Sequence, residues 1–303
     1  MISITDQSKL IVLIPAYNEE LTIGSMVMLS KPYASKIVVV DDGSADRTAS
    51  IAAASGADVV RLENNSGKAK ALLEGFEYCK RFHPDAVIMI DGDGQMDPDL
   101  IPAVVRPILE EGADLVIGSR YLDKVAKIPF KRKIGQKILN SATNMSSNNS
   151  VTDSQSGYRA LSKKALDNMD FESDAYNIES DMIVHFAEKG LVIKEVPITV
   201  RYDVPYGHKK NPWTHGIDVL SRIIGYVGYR RPLLLFGVPG ILLMMIGLVL
   251  SAATYYDMIV FFHWTQITQG IAGLATLSLG IFLIFASLML NSLGILMEKK
   301  ERR

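Results

Sequence analysis

Asp91, Asp93 and Gln95 alternate with glycines in the run Asp91-Gly92-Asp93-Gly94-Gln95, directly after the apolar stretch Ala86 to Ile90. Two carboxylates and a carboxamide leaving a buried strand together make a hard-oxygen donor set. Charge at such a place is costly unless a cation neutralises it. Few protein oxygens suit Mg²⁺ or Mn²⁺, which fill their remaining positions from substrate phosphates. Two more polar clusters follow apolar runs. Pro15-Ala16-Tyr17-Asn18-Glu19-Glu20 comes after Leu10 to Ile14, and Asp41-Asp42-Gly43-Ser44, with Asp46 and Thr48, comes after Lys36 to Val40. Taken alone, an Asp-Asp-Gly also reads as a turn followed by a helix cap. Lys68 and Lys70, behind Gly67, read as a solvated helix face.

The elements that must position these clusters are legible from periodicity. Strands are expected at Leu10 to Ile14, Lys36 to Val40, Asp58 to Arg61, Ala86 to Ile90 and Asp114 to Ile117, with a further one near Val192 to Val200. Helical segments near Glu19 to Leu29, Asp46 to Ser55, Lys68 to Arg81 and Pro98 to Glu111 alternate with them. That rhythm predicts a mainly parallel, Rossmann-like α/β sheet covered on both faces, with ligands bound beyond the carboxyl ends of its strands. Glu179 and Asp181 are weaker site candidates, since Glu179 to Lys189 also scans as an ordinary amphipathic helix with acids in its first turn.

A different chemistry is written further on. Lys124, Lys127, Lys131, Arg132, Lys133 and Lys137 form a run without an acid. It reads either as a solvated face or as a site for a phosphate monoester beside anionic headgroups, where each basic residue gains ~1 kcal/mol from the surface potential. Ile134, Ile138, Leu139 and Met145 could turn an apolar stripe toward lipid.

The C-terminal third supplies the lipid context. Leu233 to Tyr256 and Ile267 to Met297 carry no charged residue, and about 24 helical residues span ~36 Å against a hydrocarbon core of ~30 Å. Two crossings, a membrane hairpin, are expected, with Asp257 ending the first run. Gly270, Ala272, Gly273, Ala275 and Gly280 permit close helix contact and permit a homo-oligomer. Arg222, Arg230 and Arg231 precede the hairpin and Lys299, Lys300, Arg302 and Arg303 follow it, while the connector has no Lys or Arg. The positive-inside rule then predicts a multi-pass cell-membrane protein with its large domain and both termini in the cytoplasm. Trp213, Ile217, Leu220, Ile223, Ile224 and Val227 recur at helical spacing, as an interfacial helix or as one packed on the large domain. The expected divisions are residues 1–205, 206–232 and 233–303.

With 303 residues, 48% hydrophobic and 21% charged, the chain is apolar for a water-soluble protein. Its net charge of −1 argues against nucleic acid as a partner. The single Cys79 excludes an internal disulfide and reads as a buried small hydrophobe. The start of the chain lacks a cationic leader with an apolar core, so export of the large domain is not expected.

The motifs together resemble the family 2 (GT-A) glycosyltransferases, and more narrowly the polyprenyl-phosphate glycosyltransferases, which include the dolichyl-phosphate mannose, glucose and N-acetylglucosamine synthases. The likeness rests on Pro15-Ala16-Tyr17-Asn18-Glu19, Val40-Asp41-Asp42-Gly43-Ser44, Asp91-Gly92-Asp93-Gly94-Gln95, Gly118-Ser119-Arg120-Tyr121 and Asp153-Ser154-Gln155-Ser156-Gly157-Tyr158-Arg159. It runs from Leu10 to about Met297.

The resemblance implies an inverting hexosyltransferase using a nucleotide-diphosphate sugar (UDP-Glc, UDP-GlcNAc or GDP-Man), a polyprenyl or dolichyl phosphate acceptor and Mg²⁺ or Mn²⁺. By the same likeness, Pro15, Ala16, Tyr17, Glu19, Val40, Asp42, Lys68, Asp91 and Gly92 serve the nucleotide, and Asp93 and Gln95 reach the metal. Arg120 and Arg132 contact the acceptor phosphate, with Arg201 a weaker third because the spacing departs there. Asp153 reads as an orienting carboxylate or as a base, and together with Asp93, Arg120 and Arg132 completes the catalytic set. The Gln155 to Arg159 form leans toward a UDP-hexose. A processive polysaccharide synthase is disfavoured, because neither Trp213 nor Trp264 follows an Arg and two crossings enclose no channel. A nucleotidyltransferase would not require the hairpin, and a non-catalytic nucleotide-sugar scaffold would need only one of the two ligand sets.

Overall fold

The computed structural model describes residues 9–122, 140, 143–144, 150–171, 178–201, 232–260 and 267–301. The basic run containing Arg132, the candidate interfacial helix and the hairpin connector lie outside the described residues. Two compact units divide the chain, Met1–Lys210 and Asn211–Arg303.

In the first unit, β1 (Leu10–Ala16), β2 (Lys36–Asp41), β3 (Asp58–Arg61), β4 (Ala86–Met89), β5 (Leu115–Ser119), β6 (Arg159–Ser162) and β7 (Ile193–Pro197) form one sheet, ordered β3-β2-β1-β4-β6-β5-β7. β6 pairs antiparallel with β4 and β5, and the other pairings are parallel. The mainly parallel sheet expected from the sequence is therefore present, with one strand, β6, that periodicity does not predict. Four residues headed by an arginine give no strand signal, and β6 exists because both neighbours supply ladder partners. From β1 the chain runs outward to β2 and β3 on one side and to β4 on the other, so the strand order reverses between β1 and β4. In such sheets that reversal opens a crevice at the strands' carboxyl ends.

Strands buried on both faces read as continuous apolar runs, as in Leu10-Ile11-Val12-Leu13-Ile14 and Ile37-Val38-Val39-Val40. Leu13, Val40 and Met89 face one layer, where they meet Leu72 and Phe76 of α3 (Lys68–Lys80), Leu166 of α5 (Lys163–Asp167) and Phe186 of α6 (Ile178–Glu188). Ile14, Val39 and Ile88 face the other, against α1 (Ile23–Ser30), α2 (Thr48–Ala54) and α4 (Ile101–Glu111). Each fully buried large aliphatic side chain contributes roughly 1.5–3 kcal/mol, so this double layer fixes the strand ends.

In the second unit, one wide π turn, Leu233–Gly237, leads into α7 (Val238–Val260), which is followed by α8 (Ile267–Glu301). Leu235–Asp257 and Thr268–Gly294 are long and apolar enough to cross a membrane. Asp257 ends the apolar run but not the helix, which continues to Val260, because an acid interrupts hydropathy without removing a backbone hydrogen bond. The glycines sit where the helices meet: Gly240 against Gly280 and Ile284, Gly247 against Gly273 and Leu277, Gly270 against Thr254. Small residues let helix backbones approach closely. Leu242, Met245, Val249, Phe282 and Phe285 are left exposed on the outside.

Candidate active site

The loops after β1, β2 and β4 are stitched into one crevice. Asn18 takes the left-handed conformation (φ 56°) that asparagine tolerates better than most residues. Its N–H donates to Ser44 Oγ (2.9 Å), and its Oδ1 accepts from the Ala45 N–H (3.0 Å). Glu19 N donates to Thr48 Oγ1 (2.8 Å), and Thr22 Oγ1 donates to the Gly92 carbonyl (2.7 Å). Gly43 needs its positive φ of 70°, and a Cβ there would overlap the Asn64–Asn65 backbone. Asp42 accepts from the N–H groups of Ser66 (2.7 Å) and Gly67 (2.9 Å), so one carboxylate holds the loop that launches α3. The resulting cleft, about 230 Å³, is lined by every expected nucleotide residue except Val40, together with Ala71 and Asp93. Val40 is fully buried beneath it.

Charge is concentrated at the cleft floor. Lys68 Nζ stands 2.7 Å from Asp91 Oδ1 and 2.8 Å from Glu179 Oε1. Burial opposes the ammonium charge, but Asp91 and Glu179 outweigh it and hold the Lys68 pKa above the usual lysine value. Burial also pushes the Glu179 carboxyl upward, and Lys68 with Arg159 more than reverses it, leaving a net depression. Asp93 is the opposite case. Burial first and the Asp91 charge second raise its pKa, although the Gln95 N–H bond to Asp93 Oδ1 (3.0 Å) works against them. A Cβ on Gly157 would overlap the Asp91 carboxylate, so this glycine makes room for it.

A second cluster surrounds Arg120. Its Nε and Nη2 donate to the two oxygens of Asp153, each at 2.7 Å, and its backbone N–H adds a third bond at 3.1 Å. Asp153 is fully buried, whereas the Arg120 side chain keeps 20% of its surface exposed. Beneath the 153–157 loop, the buried Arg159 guanidinium donates to the carbonyls of Ser154 (2.8 Å), Ser156 (2.9 Å) and Glu179 (2.6 Å). Burial lowers its pKa to about 10, against the pull of Glu179, Asp153, Glu195 and Asp91. Arg201 donates its N–H to the Gln95 carbonyl (2.8 Å), and its largely exposed guanidinium lies 3.7 Å from Asp97. Arg132 lies outside the described residues.

The model of the family described as "Glycosyl transferase family 2" matches residues 11–170, more than half of the chain. This chain belongs to glycosyl transferase family 2. Among its relatives, the glycosyltransferase AglJ of Haloferax volcanii is 31% identical over 82% of this chain and 82% of its own length. The UDP-N-acetylglucosamine–dolichyl-phosphate N-acetylglucosaminyltransferase of Methanococcus voltae is 33% identical over 63% of this chain and 84% of its own. Among solved structures, glucosyl-3-phosphoglycerate synthase from Mycobacterium tuberculosis, in complex with Mn²⁺, uridine-diphosphate and phosphoglyceric acid, is 25% identical. It superposes with a TM-score of 0.59 over 74% of this chain and 78% of that one.

Within this family 2 fold, the donor set suits a shared ion rather than a resident one. No group of three or more His, Cys, Asp or Glu among the described residues could hold a metal. Asp91 and Asp93 with Gln95 supply few hard oxygens, as Mg²⁺ and Mn²⁺ sites completed by phosphate and water do. The raised Asp93 carboxyl marks a place where a further positive charge would be stabilising.

The strand-end residues expected from the sequence come together at the cleft. Glu179, a weaker candidate because its segment also scans as an ordinary helix, pairs with Lys68 beside it. The Gly157 motif gives no sign that its missing side chain makes room for Asp91. Glu195 is the centre of a β strand, and β7 periodicity carries no sign of what its carboxylate touches.

Proposed function

We propose that the protein transfers a hexose from a nucleotide-diphosphate sugar to a polyprenyl phosphate, with inversion at the anomeric carbon. The observation that carries this is the union, in one chain, of a carboxylate-floored cleft at the strand-order reversal with two helices apolar enough to cross a bilayer. The acid-polar sheet alone fits any nucleotide-sugar enzyme. The hairpin adds a reason for the acceptor to be a lipid, as the Methanococcus voltae relative's name says of that enzyme.

A sugar hydroxyl must lose a proton to attack, whereas a phosphate monoester, with its second pKa near ~6, is mostly dianionic at neutral pH. Its oxygen attacks the anomeric carbon as the bond from that carbon to the diphosphate breaks, and the nucleoside diphosphate leaves with the electron pair. The chain's task is then alignment and charge neutralisation. Pro15, Tyr17, Glu19 and Asp42 hold the nucleoside, and Lys68 meets the phosphates. Asp91, Asp93 and Gln95 would hold Mg²⁺ or Mn²⁺, whose charge would offset that of the departing diphosphate. Arg120, with Arg132 and Arg201, receives the acceptor phosphate. Asp153 acts through Arg120, whose N–H groups engage both of its oxygens, and not as a base.

On this proposal residues 1–205 catalyse, 206–232 serve the membrane surface and 233–303 anchor. The basic flanks support catalysis on the cytoplasmic face. We assign a UDP-sugar as donor, a choice supported by the relative's name and by the uridine nucleotide in the structural neighbour. The test is a screen of radiolabelled UDP- and GDP-sugars against one polyprenyl phosphate, counting label in the organic phase with and without EDTA. EDTA-sensitive lipid label from a UDP-sugar is expected, and its absence with every donor overturns the assignment.

A further inference from the structure

Glu195 lies on β7, paired with Ile117 of β5 two residues before Ser119 ends that strand. Its Oε1 accepts from Thr152 N (3.0 Å), Thr152 Oγ1 (3.1 Å) and Asp153 N (3.1 Å), and its Oε2 from Thr152 N (2.9 Å). No nucleotide-cleft residue is among these partners. The carboxylate instead grips the two residues that lead into the Asp153 loop.

The direction of the bonds follows from counting protons. Thr152 has one hydroxyl hydrogen and gives it to Glu195, so in the 2.6 Å contact between Ser119 Oγ and Thr152 Oγ1 the serine donates. Ser119 Oγ in turn accepts from the Tyr121 N–H (3.2 Å). A chain of donors therefore runs Tyr121 to Ser119 to Thr152 and ends on Glu195, and each bond polarises the next. Arg120 lies inside that chain. Its backbone is held between Ser119 and Tyr121, while its guanidinium is held by Asp153, whose own N–H is fixed by Glu195.

We infer that Glu195 is a positioning residue for the acceptor side, the common anchor that sets both the backbone and the guanidinium of Arg120. This rests on the reading that Arg120 receives the acceptor phosphate. A carboxylate is required because Oε1 alone takes three donors, and an ionised acceptor makes stronger bonds than a neutral one. Glutamine keeps one such oxygen but turns an N–H₂ toward the Thr152 N–H that Oε2 now accepts.

The test uses the full-length protein in detergent with a polyprenyl phosphate and the donor that labels it. For Glu195→Ala the acceptor kcat/KM should fall roughly 10- to 100-fold, the scale of an ångström-level misplacement, while affinity for nucleoside diphosphate with Mn²⁺ stays unchanged. Glu195→Gln should recover part of the loss. Combined with Arg120→Ala, Glu195→Ala should add nothing, because it acts through the same side chain.

Full multiplication of the two losses, or nucleotide affinity falling in step with acceptor turnover, overturns the inference. If Glu195→Ala does not fold, Thr152→Val breaks the same chain and must give the same acceptor-selective loss. An Arg120→Ala enzyme with unaltered acceptor kcat/KM would instead sink the assignment of Arg120 itself, whatever Glu195 does.

Discussion

Replacing Lys68 by methionine removes one ammonium from between two carboxylates while keeping most of the side chain's apolar bulk. Lys68 is 36% exposed, Asp91 26% and Glu179 10%. Breaking a fully buried pair costs about 3–5 kcal/mol and an exposed one about 0–1, so this half-shielded triad is expected to lose roughly 1–3 kcal/mol. A domain of this size shifts its Tm by about 2–4 °C per kcal/mol, a fall of roughly 2–12 °C.

The pH dependence has a definite sign. Glu179 has a depressed pKa when folded, so its contribution is present above the unfolded value of ~4.3 and is lost as pH falls through the folded one. Lys68 has a raised pKa, so its contribution is present below the unfolded value of ~10.4 and is lost as pH rises through the folded one. Wild type and Lys68→Met should therefore differ most on the plateau from about pH 5 to 10 and converge in acid. The assay is thermal unfolding of the detergent-solubilised protein across that range, with and without Mn²⁺. Without its lysine the floor is more acidic, so Mn²⁺ should raise the variant's Tm by more than it raises that of wild type. An unchanged Tm, or a difference constant down to pH 3, would show that the triad does not stabilise the fold.

Asp93→Asn should lower turnover at least ~100-fold, as loss of a group that stabilises transition-state charge does. Its ligand-free Tm should rise, because a carboxyl whose pKa is raised on folding, by burial and Asp91, destabilises the fold at pH above its unfolded value; normal turnover removes the metal from the mechanism. Gly157→Ala pushes on the Asp91 carboxylate, so Mn²⁺ affinity, followed by titration, should weaken on the order of 10- to 100-fold. Arg132→Ala should lower acceptor kcat/KM on the order of 10- to 100-fold, from the loss of a charged hydrogen bond, with nucleotide affinity by calorimetry unaltered. A selective loss of nucleotide binding would reverse the two sides of the site.

The parallel part of the fold was legible because each buried strand is a continuous apolar run and each run ends in a polar cluster. Leu10 to Ile14 followed by Pro15-Ala16-Tyr17 fixes a strand and its cleft-lining end in eight residues. The antiparallel β6 was not, since Arg159-Ala160-Leu161-Ser162 becomes a strand through pairing with β4 and β5 across long sequence separations. Local propensity carries little of such pairing. The hairpin was legible from hydropathy alone, including its small residues. Which of those meet α7 was not: Gly270, Gly273 and Gly280 do, whereas Ala272 and Ala275 are exposed.

The two halves of the candidate site differ in legibility for a physical reason. A diphosphate with its ion needs several groups converging within one crevice. The sheet supplies them at strand ends, where sequence neighbours such as Asp91, Asp93 and Gln95 are also spatial neighbours. On the proposed assignment the acceptor phosphate needs a cation held at one angle, and Arg120 is held at a distance in sequence. Asp153 reaches Arg120 across 33 positions, and Glu195 reaches Thr152 across 43. Asp153 heads a motif whose residues do not say that it pairs with Arg120, and Glu195 occupies the middle of a strand whose alternation already explains it. The cleft residues leave motifs, whereas Glu195, which holds the Asp153 loop, leaves only a hydrogen-bond network.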